Sequence, residues 1–373
     1  MCQKSGMKSW GNILLVSNNY MNILVVNFCV LAALALCYYN HPHKPYNIKV
    51  YVLISCMLFV FIRTFIDIRS VPDLEFYSLG YRQIADIEFL KIPSAAIYDV
   101  KIPEFGFRYL MKICSIICTS FTFFLFIYGF LWTIGYVKVI KRYSAYVILS
   151  ILFVTIESYN QSLFVIRQHL AMLIVFFSYQ YVIEKNIYKY LLMMLLAYSL
   201  HQTAVIAIPL YFLYHIKGRK KLLFSMLAVG SIVFVMFSLI MSKFGGEMLI
   251  GYSSYIDSDV QTNATGAILI GFELFAYVLV LKGNVFNAGI NRVLFISLSL
   301  GFIMSFCGIG FNPTSRLVMY YTSISFLVVP KIAEYANSKI SRALIVFLFI
   351  ALYGYMSFYG SGFESLKDFR LDV

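Results

Sequence analysis

Apolar stretches of about 18 or more residues recur along the whole chain, and they constrain its fold more than any other feature. A helix needs about 20 such residues to cross the hydrocarbon core of a bilayer. The 373 residues are 61% hydrophobic and only 13% charged, whereas soluble proteins average about 25% charged residues. Because backbone polar groups in lipid must be satisfied within the segment itself, the sequence predicts membrane-spanning helices.

The apolar pattern predicts an all-α polytopic integral membrane protein with about 12 transmembrane helices, within a range of roughly 10 to 13. Residues 1–373 are expected to form a single transmembrane domain. The longest polar stretch, 67–112, is expected to be a large loop between the second and third spans. The expected spans lie near 20–38, 49–66, 113–137, 143–157, 164–183, 187–200, 203–216, 222–242, 265–281, 292–308, 317–336 and 343–360.

Two of these regions are interrupted. The stretch 187–216 is compatible with one long helix or with two short helices hinged at His201. The polar string from Glu157 to Ser162 separates two apolar runs in the same way. Interrupted helices are tolerated where they line a cavity within the protein, not where they face lipid.

The distribution of charge predicts the orientation. Six loops hold 16 of the 30 Lys and Arg residues but only two of the 17 acidic residues: 39–49, 138–142, 184–189, 217–221, 282–292 and 331–342. Loops rich in Lys and Arg remain cytoplasmic. The 67–112 loop, Arg167 and His201 are then on the outer side, as are both termini, although Lys4 and Lys8 before the first span favour the opposite side for the N-terminus. Because the basic residues are scattered between spans, nucleic-acid binding is not expected.

The stretch from Ile166 to Thr203 carries the strongest functional signal. Arg167 and His201 flank two apolar runs, and the midpoint between them falls at the basic turn Glu184-Lys185-Asn186. If the runs form a helical hairpin, both side chains return to the same membrane depth. Ionisable groups at such a position are costly to keep, so they mark a functional-site hypothesis.

The outer side is predicted to carry several cations, at Arg63, Arg69, Arg82, Arg108, Arg167 and Arg316. Arginine holds phosphate through two parallel hydrogen bonds, which suits the diphosphate head group of a lipid. Arg167 and Arg316 are the favoured ligands, because both adjoin helix breaks. His201 is the first candidate for a general base and Glu157 the second, with Glu104 as a further carboxylate.

Several motifs are absent from the sequence. The sequence has no glycine-rich phosphate loop, no HExxH and no nucleophile elbow. A nucleotide-sugar donor is not expected, and no cofactor or metal is predicted.

The sequence resembles the EpsG/Wzy-type polysaccharide polymerases along its whole length. The residues that carry the resemblance are short motifs in chain order: Arg69 with Asp73 and Tyr77; Glu104-Phe105-Gly106-Phe107; Arg167-Gln168 followed by Ala197, His201 and Ala204; and Arg316 with Tyr320-Tyr321. The segment from Arg69 to Asp73 lacks the Gly and Thr of the usual family form, Arg-Asp-x-x-Gly-Thr-Asp.

The resemblance implies a GT-C-like architecture and an enzyme of the bacterial inner membrane. Such enzymes join oligosaccharide repeat units of O-antigen, capsule or exopolysaccharide, carried on undecaprenyl diphosphate, at the periplasmic face. It also implies a metal- and nucleotide-independent glycosyl transfer, a diphosphate- and substrate-binding set that includes Arg69, Asp73, Tyr77 and Gln168, and a chain-length-regulating partner. The alternatives are a transporter or flippase of lipid-linked sugars or another anion, and a membrane acyltransferase.

Overall fold

The computed structural model describes residues 23–36, 45–71, 73–93, 102–248, 260–307, 314–359 and 369–372. Helices form most of this part of the chain, as predicted. Their bounds are α1 (Ile23–Leu36), α2 (Pro45–Thr64), α3 (Leu74–Asp86), α4 (Phe105–Ile117), α5 (Phe121–Tyr143), α6 (Val147–Phe153), α7 (Asn160–Ser162), α8 (Ile166–Ile183), α9 (Ile187–Leu200), α10 (Pro209–His215), α11 (Arg219–Met248), α12 (Val260–Leu281), α13 (Ile290–Cys307), α14 (Thr314–Thr322), α15 (Ser325–Tyr335) and α16 (Lys339–Tyr359). The predicted outer N-terminus and residues 94–101 of the predicted loop lie outside the described residues.

Five helical segments in the described part are long and apolar enough to cross a membrane: Asn47–Thr64, Phe121–Tyr143, Ala264–Phe286, Arg316–Tyr335 and Lys339–Phe358. Three shorter apolar helices are Ile23–Leu36, Ile187–Leu200 and Ile290–Phe306. The protein is therefore a multi-pass helical membrane protein. The larger number of about 12 spans stays a prediction.

The expected span 113–137 is wrong at its start. Helix α4 ends at Ile117, Cys118 is extended (φ −153°, ψ 129°), and the long apolar helix begins only at Phe121. The Tyr81 hydroxyl of α3 donates a hydrogen bond to the Cys118 carbonyl (2.7 Å). A tertiary contact thus satisfies a carbonyl at the end of α4, and an apolar run alone does not reveal such a contact.

The predicted turn between α8 and α9 is confirmed, and local signals explain it. Lys185 has positive φ (59°), and the Asn186 side chain accepts a hydrogen bond from the Lys189 amide (3.1 Å), which caps α9. Helix α9 ends at Leu200, and His201 is extended. The stretch 187–216 therefore forms two short helices hinged at His201, and not one long helix.

The polar string after α6 is also irregular, as predicted. Residues Val154–Tyr159 form a π-helical segment that contains Glu157, and the short α7 follows and ends at Ser162. Segments of π-helix are rare and occur often at functional sites. Helix α8 begins after a turn, at Ile166.

The chain divides into two compact units. The first draws on Met1–Val137, Val147–Ile166 and Tyr353–Val373, and the second on Lys138–Tyr146 and Arg167–Leu352.

Aromatic side chains form much of the core of the first unit. The rings of Phe59 and Tyr159 stack with their centroids 4.5 Å apart, and Trp132 meets Phe59 edge-on at 6.1 Å. Each such pair adds about 0.5–1.5 kcal/mol beyond its area burial. These contacts join α2, α5 and the π-helical segment.

In the second unit, α13 packs against α11, α12 and α14. A glycine makes one of these approaches close: a Cβ at Gly301 would lie 2.4 Å from the Thr322 side chain of α14. Small residues of this kind let helices in membranes pack through dispersion, since lipid supplies no hydrophobic driving force.

The C-terminal residues 369–372 attach to the segment that follows α2. The Asp67 amide donates to the Arg370 carbonyl (2.9 Å), the Asp372 amide donates to the Phe65 carbonyl (2.7 Å), and Ile66 forms an antiparallel bridge with Leu371. This attachment anchors the start of the polar stretch that carries Arg69, Asp73 and Tyr77.

Phe369 is fully buried in this attachment, so we expect Phe369→Ala to destabilise the protein by about 3–5 kcal/mol. Denaturant unfolding of the purified protein in detergent micelles measures the loss. Asp372→Ala is the matched control, because the exposed Asp372 contributes its backbone amide to the attachment. Equal unfolding midpoints for Phe369→Ala and wild type would contradict the expectation.

Candidate active site

A hydrogen bond in the second unit joins the first turns of α8 and α14. The Gln168 side chain is 1% exposed, and its amide Nε2 donates to the backbone carbonyl of Arg316. Arg167 precedes Gln168 in the first turn of α8. The guanidinium side chains of Arg167 and Arg316 are both part-buried. Two of the predicted diphosphate ligands are thus on helix ends that are tied to each other.

His201 lies at the break that follows α9. Its amide donates to the Ala197 carbonyl (2.9 Å), and its carbonyl accepts from the Ala204 amide (3.0 Å). The first bond lies at the end of α9, and the second lies at the start of the 3-10 turn Gln202–Ala207. The side chain of His201 is part-buried.

The turn after His201 packs against α14 as well. Thr203 Oγ1 lies 3.3 Å from the Tyr320 hydroxyl, and the Tyr321 hydroxyl donates to the Ile206 carbonyl. Helix α14 therefore contacts both ends of the region 166–203, one end through Gln168 and the other through Thr203 and Ile206. The predicted common depth of Arg167 and His201 stays a prediction.

The placement of the two arginines favours an anion. The first turn of a helix leaves backbone N–H groups unpaired and carries the positive end of the helix dipole. A guanidinium there is unfavourable by itself, because like charges meet. A bound phosphate group would interact favourably with both the guanidinium and the helix end.

Glu104 is in the first unit, immediately before α4, and is only 4% exposed. The Arg108 side chain one turn later donates to the Ile102 and Ile92 carbonyls. Burial lowers the pKa of the Arg108 guanidinium, while the neighbouring Glu104 carboxylate raises it. Glu104 is therefore a buried carboxylate beside a cation at the start of α4.

The other predicted ligands of the first unit are at the start of α3. Arg69 is exposed, and Asp73 precedes α3 with a positive φ of 66°. The Asp73 carbonyl accepts from the Tyr77 amide (3.0 Å). The Tyr77 ring is buried and lies edge-on to Phe107 of α4, with centroids 5.8 Å apart. Tyr77 therefore contributes to the packing of α3 on α4.

Sequence reasoning did not single out two buried charged residues. Arg63, in the last turn of α2, is 1% exposed, although a cation near the end of a span commonly extends to the membrane surface. Glu273, within the apolar helix α12, is fully buried and accepts a hydrogen bond from Ser325 Oγ (3.0 Å). For Glu273, its isolation within an apolar run was the available signal.

The chemistry of the arginine-bearing helix ends suits an anion and not a metal ion. Their binding groups are guanidinium, amide and backbone N–H groups, all of which are hydrogen-bond donors. In the described part of the chain, no group of three or more His, Cys, Asp and Glu side chains is placed to hold a metal ion.

These helices define a multi-pass membrane protein in which the first turns of α8 and α14, which carry Arg167 and Arg316, are joined by a hydrogen bond. Comparison with protein families identifies it further: the EpsG family model matches residues 49–367. The chain therefore belongs to the EpsG family, which is a Wzy-type polymerase-like family. Neither the curated proteins nor the solved structures yield a significant match.

Proposed function

We propose that this protein polymerises oligosaccharide repeat units carried on undecaprenyl diphosphate, by glycosyl transfer at the periplasmic face of the bacterial inner membrane. Its product would be O-antigen, capsule or exopolysaccharide. The observation that carries the proposal is the hydrogen bond from Gln168 to Arg316, which ties together two arginine-bearing helix starts. Membership of a polymerase-like family supports the same class of reaction.

The reaction breaks one bond and forms another. The bond between the anomeric carbon of the growing chain and its lipid diphosphate breaks, and a hydroxyl of the incoming unit forms the new glycosidic bond. Negative charge grows on the departing diphosphate, and preorganised cations stabilise such charge in a site shielded from water. Arg167 and Arg316 take this role, so that transfer needs neither a metal nor a nucleotide.

The attacking hydroxyl loses a proton, which requires a base. His201 is the first choice, because the turn that follows it packs on the same helix that carries Arg316. Glu157 is the second choice, since it lies in a π-helical segment. Glu104 is third. Arg69, Asp73 and Tyr77 belong to the motif at the start of the outer loop and would contact the incoming sugars.

The proposed architecture is GT-C-like, with about 12 spans in a single transmembrane domain. The loop 67–112 is periplasmic. The partners are the lipid-linked oligosaccharide, the surrounding bilayer and a chain-length-regulating protein.

Purified protein supplied with a defined lipid-linked repeat unit tests this function. We expect a ladder of polymer lengths on a gel, unchanged by a metal chelator and without added nucleotide. Movement of the lipid-linked unit across vesicle membranes without elongation would replace the proposal with a flippase.

The orientation is tested by thiol labelling in a variant that lacks the seven native cysteines. We expect a cysteine at Asp86, which ends α3, to react with an impermeant reagent from the periplasmic side. A cysteine at Arg219, which begins α11 in a basic loop, should react only from the cytoplasmic side. Labelling of both from one side would refute the number of spans proposed between them.

A further inference from the structure

Arg63 lies in a cage of three aromatic rings in the first unit. Its guanidinium carbon is 4.8 Å from the ring centroid of Tyr128, 4.5 Å from that of Trp132 and 4.9 Å from that of Tyr159. Guanidinium groups are attracted to ring faces at such distances, more strongly when water is excluded. At 1% exposure, the Arg63 side chain lies inside the protein.

Hydrogen bonds extend this cage to the turn that follows the π-helical segment. Arg63 Nη2 donates to Ser162 Oγ, and Ser162 Oγ donates to the Tyr159 carbonyl (2.6 Å). The Tyr128 hydroxyl donates to the Ser162 carbonyl (2.8 Å), and the Tyr159 hydroxyl to the Phe59 carbonyl (2.9 Å). Helices α2 and α5 therefore hold residues 159–162 from two sides.

The site is fitted to an arginine. A Cβ at Gly129 would lie 3.3 Å from Arg63 Cδ, so a larger residue there would press on the side chain. Tyr128 and Trp132 are four positions apart and lie on one face of α5, which presents both rings to the same cation.

Packing alone does not explain a buried arginine at this position. Arg63 Nε and Nη1 are buried and have no hydrogen-bond partner among the described residues. Desolvation of a charge is costly, and well-packed apolar residues at buried ionic sites are often as stable or more so. A role in holding a particular geometry accounts for the cation better than a contribution to stability does.

Glu157 is the charged residue of the segment that leads into this caged turn. It lies two residues before Tyr159, in the π-helical segment that ends at the caged turn. The Tyr136 ring of α5 lies 4.3 Å from the Trp132 ring. The π-helical segment that carries Glu157 is thus continuous with the caged turn, within the first unit.

We propose that Arg63 is a positioning residue for Glu157: it fixes the π-helical turn that presents the carboxylate and acts on sugar transfer only through that turn. This inference rests on the proposed polymerase function, in which Glu157 is one of the candidate bases.

A double-mutant cycle on polymerisation rates tests the inference. We expect Arg63→Lys, which keeps the charge but loses the planar fork, to lower kcat by about 100-fold with KM unchanged, since displacement of a reacting group by about 1 Å has this effect. Glu157→Gln should lower kcat as well. In the Glu157→Gln background, Arg63→Lys should have no further effect, because coupled residues are not additive.

Additive losses in the cycle, or full activity of Glu157→Gln, would overturn the inference. Arg142→Lys is the matched control: Arg142 is an exposed arginine at the end of α5, in a loop predicted to be cytoplasmic, and its variant should retain wild-type rates. The polymer ladder of the wild-type protein separates the two proposals. If the wild-type protein makes no polymer, the proposed function is rejected. The positioning of Glu157 is then tested by an experiment that needs no substrate.

Thiol reactivity supplies that test. In the variant that lacks native cysteines, we expect Glu157→Cys to react with a small thiol reagent at a rate that changes at least about 10-fold when Arg63→Lys is added. The same addition should leave the rate at a cysteine replacing Asp86 unchanged, which distinguishes local release of the turn from unfolding. Equal rates at position 157 with and without the Arg63→Lys substitution would refute the inference.

Discussion

Replacing Arg167 or Arg316 by alanine should abolish polymer formation while protein levels in the membrane stay normal. Each arginine is expected to stabilise the charge that develops on the departing diphosphate, and loss of one such preorganised donor costs about 100-fold or more in rate. The hydrogen bond between Gln168 and the Arg316 carbonyl uses backbone on the α14 side, so Arg316→Ala leaves that tie in place. The loss should therefore appear in the reaction and not in folding.

Lysine at either position should restore little activity, because an ammonium group cannot make the two parallel hydrogen bonds of a guanidinium. Lys220→Ala is a suitable control, since Lys220 is exposed at the start of α11, in a loop predicted to be cytoplasmic. Gel analysis measures the polymer length that each variant makes, and immunoblotting measures its protein level. Full-length polymer from Arg167→Ala would remove this residue from the site.

Local features of the structure were predictable from the sequence. The turn between α8 and α9 depends on residues within a few positions: a lysine with positive φ and an asparagine that caps α9. Such signals are legible because the short-range geometry determines them.

Features that depend on distant contacts were not predictable. The end of α4 at Ile117 accompanies a hydrogen bond from Tyr81, which is 37 positions from its Cys118 acceptor. The burial of Arg63 requires rings from α5 and from the π-helical segment, up to 96 positions along the chain. In the sequence, Arg63 is one of several cations near the end of an apolar run, and no periodic pattern distinguishes it. The link between α8 and α14 through Gln168 spans 148 positions and is equally invisible.

His201 is expected to accept the proton of the attacking hydroxyl, and His201→Ala should lower kcat by about 100-fold to 10,000-fold, the usual contribution of general acid–base catalysis. Imidazole ordinarily titrates near neutral pH, where a general base is most effective. The backbone amide and carbonyl of His201 hydrogen-bond to the backbone of Ala197 and Ala204. Truncation of the His201 side chain should therefore leave the turn intact. Lipid-linked substrate should bind to the variant with wild-type affinity.

Glutamine at position 201 separates a base from a hydrogen-bonding residue. Its amide preserves hydrogen bonding but cannot take up a proton at working pH. A base must be unprotonated, so the wild-type rate should fall at acid pH, and this acid limb should be absent in the residual activity of His201→Gln. Turnover of a defined lipid-linked substrate across pH measures both effects. If His201→Gln keeps most of the wild-type activity, His201 acts as a hydrogen-bonding residue. The base is then sought at Glu157, the carboxylate in the π-helical segment, before Glu104, the buried carboxylate that precedes α4.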